Sequence, residues 1–429
     1  MLWDIYEQHL EEAAFLWGRW EQALVAPDHV LDEVAPMEER LHAHVDGLVL
    51  GGEPAAKRFL LPALESDDLE IVRAAAFTLL VDGTSGSAHA VLERIRAADD
   101  AALAAFQRAL EVLQPAMFPA WLQLLPQDEN PTLQALGLEV LGLHQCAPAA
   151  ACQALLTHAS PKLAATALRA AGRSRIELAP AMLERALASP SLEVRDAAIE
   201  AGGLRGHRST WAACRAAIQS RTLSSPLPLL LLAMGGDDRD LKELQELLVD
   251  ETLRPDVLWA LGFSGRVASA DACLEFMSQK SVAPLAGEAF SAITGLRIEG
   301  SYAAPGKDPE AQEPVPLAQE DLEASPVPKP IDALPIPQAD AISQWWQQAR
   351  SQLEPQRRYL EGRPFSSQAL LDALTFSSMR RRHALGLELA VRSRGAHQVP
   401  TRAFAERQLE VLRRMRTAPS ATFGRTFAE

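Results

Sequence analysis

The sequence lacks the long apolar run that a membrane-spanning helix requires. Such a helix needs roughly 18–20 consecutive apolar residues, whereas the longest dense run here, Leu227–Met234, lies between Pro226 and Gly235. The amino-terminal segment carries acidic residues where a secretory signal carries a basic patch. We therefore expect a cytoplasmic protein with no membrane partner.

Cysteine is also scarce. The four cysteines (Cys146, Cys152, Cys214 and Cys273) form no Cys-x-x-Cys pair, so neither a disulfide scaffold nor a cysteine metal site is expected. The alternation of β-branched and polar residues that marks strands is nearly absent, while alanine and leucine, both strong helix formers, dominate. This composition predicts an all-α protein.

Signatures of catalysis are missing as well. The chain contains no Gly-x-Gly-x-x-Gly or P-loop lysine motif, and no Gly-x-Ser-x-Gly or Ser-x-x-Lys motif. We therefore predict no cofactor, no metal and no catalytic residue. His42, His44 and Asp46 invite a metal interpretation, but on a helix His44 faces away from the other two. Packing of a surface helix is the alternative that we favour.

A glycine recurs near the end of successive apolar segments, at intervals of 27–33 residues. The positions are Gly142, Gly172, Gly202, Gly235, Gly262 and Gly295. A period of this length is typical of stacked helical hairpins. We predict that each second helix opens at a turn residue or proline, as at Asn130-Pro131 and Ser160-Pro161, and stops at its glycine. The glycine pairs, among them Gly202-Gly203, are likewise interpreted as helix stops.

The clearest copies of the repeat share a Val-Arg string. Val72-Arg73 and Val194-Arg195 lie 122 residues apart, or four units of about 30 residues. With the terminal Ala-Leu-Gly at 260–262, this pattern resembles HEAT-like repeats, which implies an α-solenoid. HEAT-type iron hydroxylases carry His-Glu pairs as metal ligands. None of the ten histidines here precedes a glutamate, so the chain departs from that enzyme class.

Composition divides the chain into four predicted segments. Residues 1–55 form a helical cap and residues 56–299 the repeat array, which together hold 24 basic and 41 acidic side chains. Residues 300–340 form a proline-rich acidic linker, and residues 341–429 an arginine-rich helical domain. From residue 345 onward the chain holds 15 basic and 7 acidic side chains. An acidic body is thus followed by a basic tail.

Nine residues of the carboxy-terminal segment are candidates for partner binding. They are Trp345, Trp346, Arg357, Arg358, Tyr359, Arg363, Arg380, Arg381 and Arg382. Aromatic and arginine side chains are favoured interface anchors, although they serve the core of a small domain equally well. The arginine run at 380–382 is open to three interpretations: ion pairs within the chain or between subunits, contact with an acidic protein, or contact with nucleic acid.

Local strings at both ends of the chain resemble one particular family. His9–Trp17 and Glu39–Leu48 lie near the amino terminus, and Arg358–Pro364 and Arg380–Leu389 near the carboxy terminus. Together with the repeats they are similar to a proteobacterial HEAT-repeat family of unassigned biochemical function, whose members are frequently encoded beside type VI secretion spike and effector genes. The resemblance implies a cytosolic accessory protein of an antibacterial export system.

These observations predict a non-enzymatic protein-binding scaffold. Its acidic concave surface would capture a basic partner, either an effector or a spike component, and the protein would act as an effector adaptor, a chaperone or an immunity protein. A HEAT-like DNA-binding or base-excision enzyme is one alternative, although the acidic repeats disfavour nucleic acid as a partner. A secreted effector with a repeat carrier region is another. The pattern indicates no oligomeric state.

Overall fold

In the computed structural model of the protein, the described residues are 2–223, 225–305, 329–417 and 427. They form 22 α-helices and one short antiparallel hairpin, with brief 3-10 and π turns between some of the helices. The described chain is therefore all-α, and its successive helices pack on one another as in an α-solenoid, as predicted. Among these residues, none of the helices has both the length and the apolar character of a membrane span.

The elements follow one another as a series of short helices. The first are α1 (Trp3–Ala23), α2 (Leu31–Leu50), α3 (Gly52–Ala55), α4 (Leu61–Ala63), α5 (Leu69–Asp82), α6 (Ser85–Ala97), α7 (Asp100–Val112), α8 (Pro131–Leu143), α9 (Ala149–Leu155), α10 (Pro161–Arg173), α11 (Pro180–Leu187), α12 (Leu192–Arg205) and α13 (Ser209–Gln219). After them come α14 (Leu227–Gly235), α15 (Asp238–Glu246), α16 (Arg254–Leu261), α17 (Val267–Phe276), α18 (Ala283–Thr294), α19 (Ala339–Ala349), β1 (Tyr359–Leu360), β2 (Arg363–Pro364), α20 (Ser367–Phe376), α21 (Met379–Arg392) and α22 (Ala405–Thr417).

These elements are distributed over two compact units. Unit 1 contains α1–α13 with α21 and α22, and unit 2 contains α14–α19, the hairpin and most of α20. The chain segments are Met1–Val25, His29–Ser225 and Thr375–Arg425 for unit 1, and Ala26–Asp28, Pro226–Leu374 and Thr426–Glu429 for unit 2. The contacts thus divide the chain differently from the four predicted segments, because α21 packs on α12 and α22 packs on α2.

The second helices of the repeats begin at the predicted positions. α8 starts at Pro131, after Asn130, whose side-chain oxygen accepts from the amide of Thr132 at 2.9 Å. α10 starts at Pro161, but Ser160 makes no side-chain cap hydrogen bond. Proline at the first helical position loses no backbone hydrogen bond, so it marks the helix start at both places.

Three of the six recurring glycines do not stop their helices. Gly142, Gly172 and Gly202 lie inside α8, α10 and α12 rather than after them. A Cβ atom on Gly172 would lie 2.6 Å from Cα of Ala201, in the next second helix. At Gly172 the glycine therefore permits close approach of successive helices. The interpretation of the Gly202-Gly203 pair as a helix stop is wrong.

These helices end instead at a left-handed residue in the following turn. Gln145, Arg175 and Gly206 have φ angles of 60°, 57° and 73°. The amide after each of them donates back to the last helical turn, as Cys146 N does to the Leu141 carbonyl at 2.9 Å. Because two of these three left-handed residues are not glycine, the glycine pattern misplaces the ends of these three helices.

The other three recurring glycines stand where the pattern predicts. Gly235 is the last residue of α14, and Gly262 and Gly295 directly follow α16 and α18.

Residues 306–328 of the predicted linker lie outside the described residues. The two flanks of this segment belong to unit 2 and pair with each other, with Gln338 N donating to the Tyr302 carbonyl at 2.7 Å. α19 starts at Ala339, directly after this pairing. The pairing therefore sets the start of α19 within unit 2.

Candidate protein-binding site

The first turn of α22 is anchored to α2 by a buried carboxylate. Glu38 is 4% exposed and accepts hydrogen bonds from Trp20 Nε1 at 2.7 Å and from Ala405 N at 2.6 Å. The buried guanidinium of Arg382 adds electrostatic attraction. Burial outweighs these contacts and raises the pKa of Glu38 to about 7. This anchor sets where the residues around Ala405 meet α2.

The raised pKa of Glu38 makes the stability of unit 1 depend on pH. The folded protein binds this proton more tightly than the unfolded chain, whose glutamate has a pKa of 4.5. The stabilising contribution is therefore fully present below pH 4.5 and is lost as the pH rises through about 7. We expect the wild-type protein to lose stability relative to Glu38→Gln as the pH is raised from 5 to 8, measured by urea unfolding. A constant difference over this range would contradict the raised pKa.

A cleft opens beside this anchor, between α2, α5, the end of α7 and the start of α22. Its volume is about 540 Å³. Its apolar floor includes Phe77, Val112, Leu113, Met117 and Phe404. Three exposed carboxylates also line it: Glu39, Asp46 and Glu406. We call this site the acidic cleft.

Aromatic rings form part of the acidic cleft. The ring centroids of His42 and Phe404 lie 4.5 Å apart, and those of Phe77 and Phe404 lie 5.7 Å apart. Burial lowers the pKa of His42, against the opposing effect of Asp46 and Glu406, so the imidazole is neutral at pH 7. The faces of aromatic rings carry negative partial charge and attract cations.

Negative charge predominates at the acidic cleft and in the surrounding cap. Residues 1–55, which supply two of the three exposed carboxylates, hold 12 acidic and 2 basic side chains. Arg407 also lines the cleft, so the three carboxylates there stand against one guanidinium, which donates to His144 Nδ1 at 2.9 Å. The arrangement favours a cationic group that also offers an apolar stem, such as a lysine or arginine side chain.

The aromatic candidates from the sequence lie mainly in the core of unit 2. Trp346 is 3% exposed, and its Nε1 donates to Asp271 at 2.8 Å. Trp345 is half-buried and stacks on Trp346, with ring centroids 6.1 Å apart. Tyr359 is 5% exposed. Of the two interpretations, core and interface, the geometry favours the core for Trp346 and Tyr359.

The arginine candidates of unit 2 differ in exposure. Arg358 is half-buried, donates to backbone carbonyls and lies 4.0 Å from the centroid of the Phe365 ring. Arg357 and Arg363 are exposed, and each forms an ion pair with a carboxylate, at 3.1 and 3.2 Å. Partner binding by these two exposed arginines stays a prediction.

The arginine run at 380–382 belongs to unit 1, so the nine candidates do not form one site. Arg380 is half-buried, whereas Arg381 and Arg382 are 5% and 0% exposed. α21, which carries them, packs on α12, and Arg382 is attracted to Glu38. A partner at the surface does not reach two buried guanidinium groups. For Arg381 and Arg382, the partner-binding expectation is therefore corrected to a role inside unit 1.

The two histidines considered as metal ligands point to different neighbours. His42 packs against Phe404, whereas His44 Nδ1 lies 3.0 Å from His9 Nδ1. Within the described ranges, no three potential ligands converge. The structure thus shows His42 packed against an aromatic ring.

The sequence does not indicate the acidic cleft, because the residues that line it come from distant parts of the chain. Glu38 and Ala405, which join α2 to α22, are 367 positions apart. No local motif connects Asp46 with Phe404 or Glu406. The available signal was the acidic excess of residues 1–55, which indicates a charged surface but not the apolar floor beneath it.

Comparisons with known proteins complete the description. No family model matches the chain, and no curated protein matches it in sequence. Among solved structures, it is similar to human deoxyhypusine hydroxylase in complex with glycerol, at 16% sequence identity and a TM-score of 0.24. This match covers 67% of the present chain and 97% of the hydroxylase chain. A similarity at this TM-score carries no information about function.

Proposed function

We propose that the protein is a non-enzymatic scaffold that captures a basic protein partner at the acidic cleft. The observation that supports this best is the cleft itself, where an aromatic and apolar floor adjoins the exposed carboxylates of Glu39, Asp46 and Glu406. Such a site suits a lysine or arginine side chain, whose alkyl stem is apolar and whose end is charged.

Two kinds of contact would hold the basic side chain. A cation over the ring of Phe404 or Phe77 contributes about 0.5–1 kcal/mol at an exposed site. An exposed carboxylate adds up to about 1 kcal/mol. The acidic excess of residues 1–55 also attracts a basic partner at longer range and speeds the encounter. Binding should therefore weaken as salt is added.

The resemblance to the proteobacterial HEAT-repeat family supports a more specific setting. We propose a cytosolic accessory protein of type VI secretion, whose partner is a basic effector or a spike component. An adaptor or chaperone brings the effector to the spike, so all three proteins should co-elute in size-exclusion chromatography. An immunity protein instead suppresses the activity of the toxin in a mixture of the two purified proteins.

Neutralising the exposed carboxylates of the cleft should weaken partner binding. The triple variant Glu39→Gln, Asp46→Asn, Glu406→Gln is expected to reduce the affinity for a co-purifying effector or spike protein about tenfold, because the bound cation loses its carboxylate neighbours. Calorimetric titration at two salt concentrations measures both the affinity and its salt dependence. In the triple variant the salt dependence should be smaller.

A charge-matched variant separates the cleft from the general charge of the protein. Glu129→Gln, Glu177→Gln, Glu184→Gln removes three exposed carboxylates outside the cleft. We expect it to retain the wild-type affinity at physiological salt. Equal losses in the two triple variants would assign binding to overall charge. If no effector or spike protein binds the wild-type protein under these conditions, the proposed function is wrong.

A further inference from the structure

A second cavity in unit 1 shares Arg407 with the acidic cleft but has the opposite charge. It lies among the ends of α8, α10 and α12 and the segment from α21 to α22, and its volume is about 300 Å³. Four arginines line it: Arg108, Arg173, Arg402 and Arg407. We call it the arginine cavity.

Two of the four arginines are neutralised by carboxylates. Arg108 pairs with Glu111 at 3.3 Å and also with Glu21. Arg173 pairs with Glu200 at 2.9 Å and with Glu139 at 3.5 Å. Glu111 and Glu200 also line the cavity, so these two arginines and two glutamates add no net charge to it.

The guanidinium of Arg407 is bonded to neutral acceptors. It donates to His144 Nδ1 at 2.9 Å and to the Leu113 carbonyl at 3.5 Å. Because Nδ1 accepts, His144 carries its proton on Nε2, which lies 3.0 Å from the Glu111 carbonyl. Burial and the nearby Arg407 lower the pKa of His144 to about 4, so the ring stays neutral at pH 7. These two bonds do not cancel the positive charge of Arg407, which is also attracted electrostatically by Glu410.

Arg402 adds a second positive charge to the lining. Arg402 is exposed. Its contact with Arg108 is made by its backbone carbonyl, which accepts a hydrogen bond from that guanidinium at 2.7 Å. The remaining wall is largely apolar and includes Leu143, Leu204, Leu387 and Val399. The lining thus holds two more arginines than glutamates beside an apolar wall, in a protein whose overall charge is −15.

We propose that the arginine cavity binds a small organic anion, whose charged end contacts Arg407 and Arg402 and whose apolar body packs on the leucines. A carboxylate or a phosphate monoester has this chemistry, and both are favoured partners of guanidinium groups. Ligand pockets span about 300–1,000 Å³, so a cavity of about 300 Å³ admits a small ligand. The proposal goes beyond basic-partner capture, because its ligand is an anion rather than a basic side chain.

Three probes of similar shape test the proposal on the full-length protein. Benzoate and phenyl phosphate carry the anion, and benzamide is the neutral control. In calorimetric titrations at constant ionic strength, we expect saturable binding of at least one anion and none of benzamide. The tighter anion identifies the charged group that the cavity prefers. Lack of saturable binding by both anions, or equal binding of benzamide, would overturn the proposal.

Substitutions locate the binding in the cavity. Arg407→Gln is expected to reduce the affinity for the tighter anion at least tenfold, and Arg402→Gln about threefold. Arg402 is exposed, so its variant should fold even where Arg407→Gln does not, as circular dichroism would show. Arg413→Gln, at an exposed position of α22 outside the cavity, is the charge-matched control. Unchanged affinity in Arg402→Gln, or an equal loss in Arg413→Gln, would contradict the assignment.

Discussion

Replacing Glu38 with alanine is expected to lower the free energy of unfolding by about 2–4 kcal/mol. The substitution removes the acceptor of the Trp20 indole N–H and of the Ala405 amide, and it removes the negative charge beside the buried Arg382. A buried N–H group that is left without an acceptor costs about 1–3 kcal/mol, and the substitution leaves two such groups. Because Ala405 lies in the first turn of α22, hydrogen exchange in α22 should also become faster.

Urea unfolding at pH 7, followed by tryptophan fluorescence and circular dichroism, measures this effect. Glu39→Ala is the matched control, since Glu39 is the next residue of α2 and is exposed. It should change the free energy of unfolding by less than about 0.5 kcal/mol. If Glu38→Ala were no more destabilising than Glu39→Ala, the anchor between α2 and α22 would not stabilise unit 1.

Adding a single methyl group at Gly172 is expected to destabilise unit 1 by about 2 kcal/mol. A Cβ atom there would lie 2.6 Å from Cα of Ala201, and a backbone atom cannot move aside as a flexible side chain can. Such overpacking costs about 3 kcal/mol, of which about 1 kcal/mol is offset by the higher helix propensity of alanine. The loss should appear as a lower midpoint of urea unfolding.

The same substitution at Gly86 provides the control. Gly86 lies in α6, and no described atom comes within 4 Å of a Cβ built there. Gly86→Ala should therefore stabilise the protein by about 0.5 kcal/mol, through helix propensity alone. If Gly172→Ala were also stabilising, the packing explanation of the glycine period would fail.

The repeats show which structural features a local sequence pattern predicts and which it does not. The starts of α8 and α10 follow from Pro131 and Pro161, because proline at a first helical position acts within a single turn. The pattern misplaces the ends of α8 and α10, because Gln145 and Arg175 adopt the left-handed conformation without being glycine. The glycine period was visible, but the close contact of Gly172 with Ala201 is a property of two helices from different repeats.

The carboxy-terminal arginines show that the composition of a segment does not predict which of its charged side chains are buried. Their composition indicates a basic surface, yet Arg382 is fully buried and lies near Glu38. Composition records how many charges a segment carries and not which of them the fold encloses. The exposed Arg357 and the buried Arg382 look alike in the sequence, and only their neighbours distinguish them.

The sequence by itself determined the helical class, the repeat and the starts of the second helices, because propensity and N-terminal proline act over a few neighbouring residues. Only the tertiary structure decided that α22 packs on α2, that the acidic cleft has an aromatic floor, and that Arg407 lines a cavity. The physical reason is that these features join residues as far apart as Glu38 and Ala405, 367 positions along the chain. Contacts at such separations depend on how helices stack and leave no pattern of fixed spacing in the sequence.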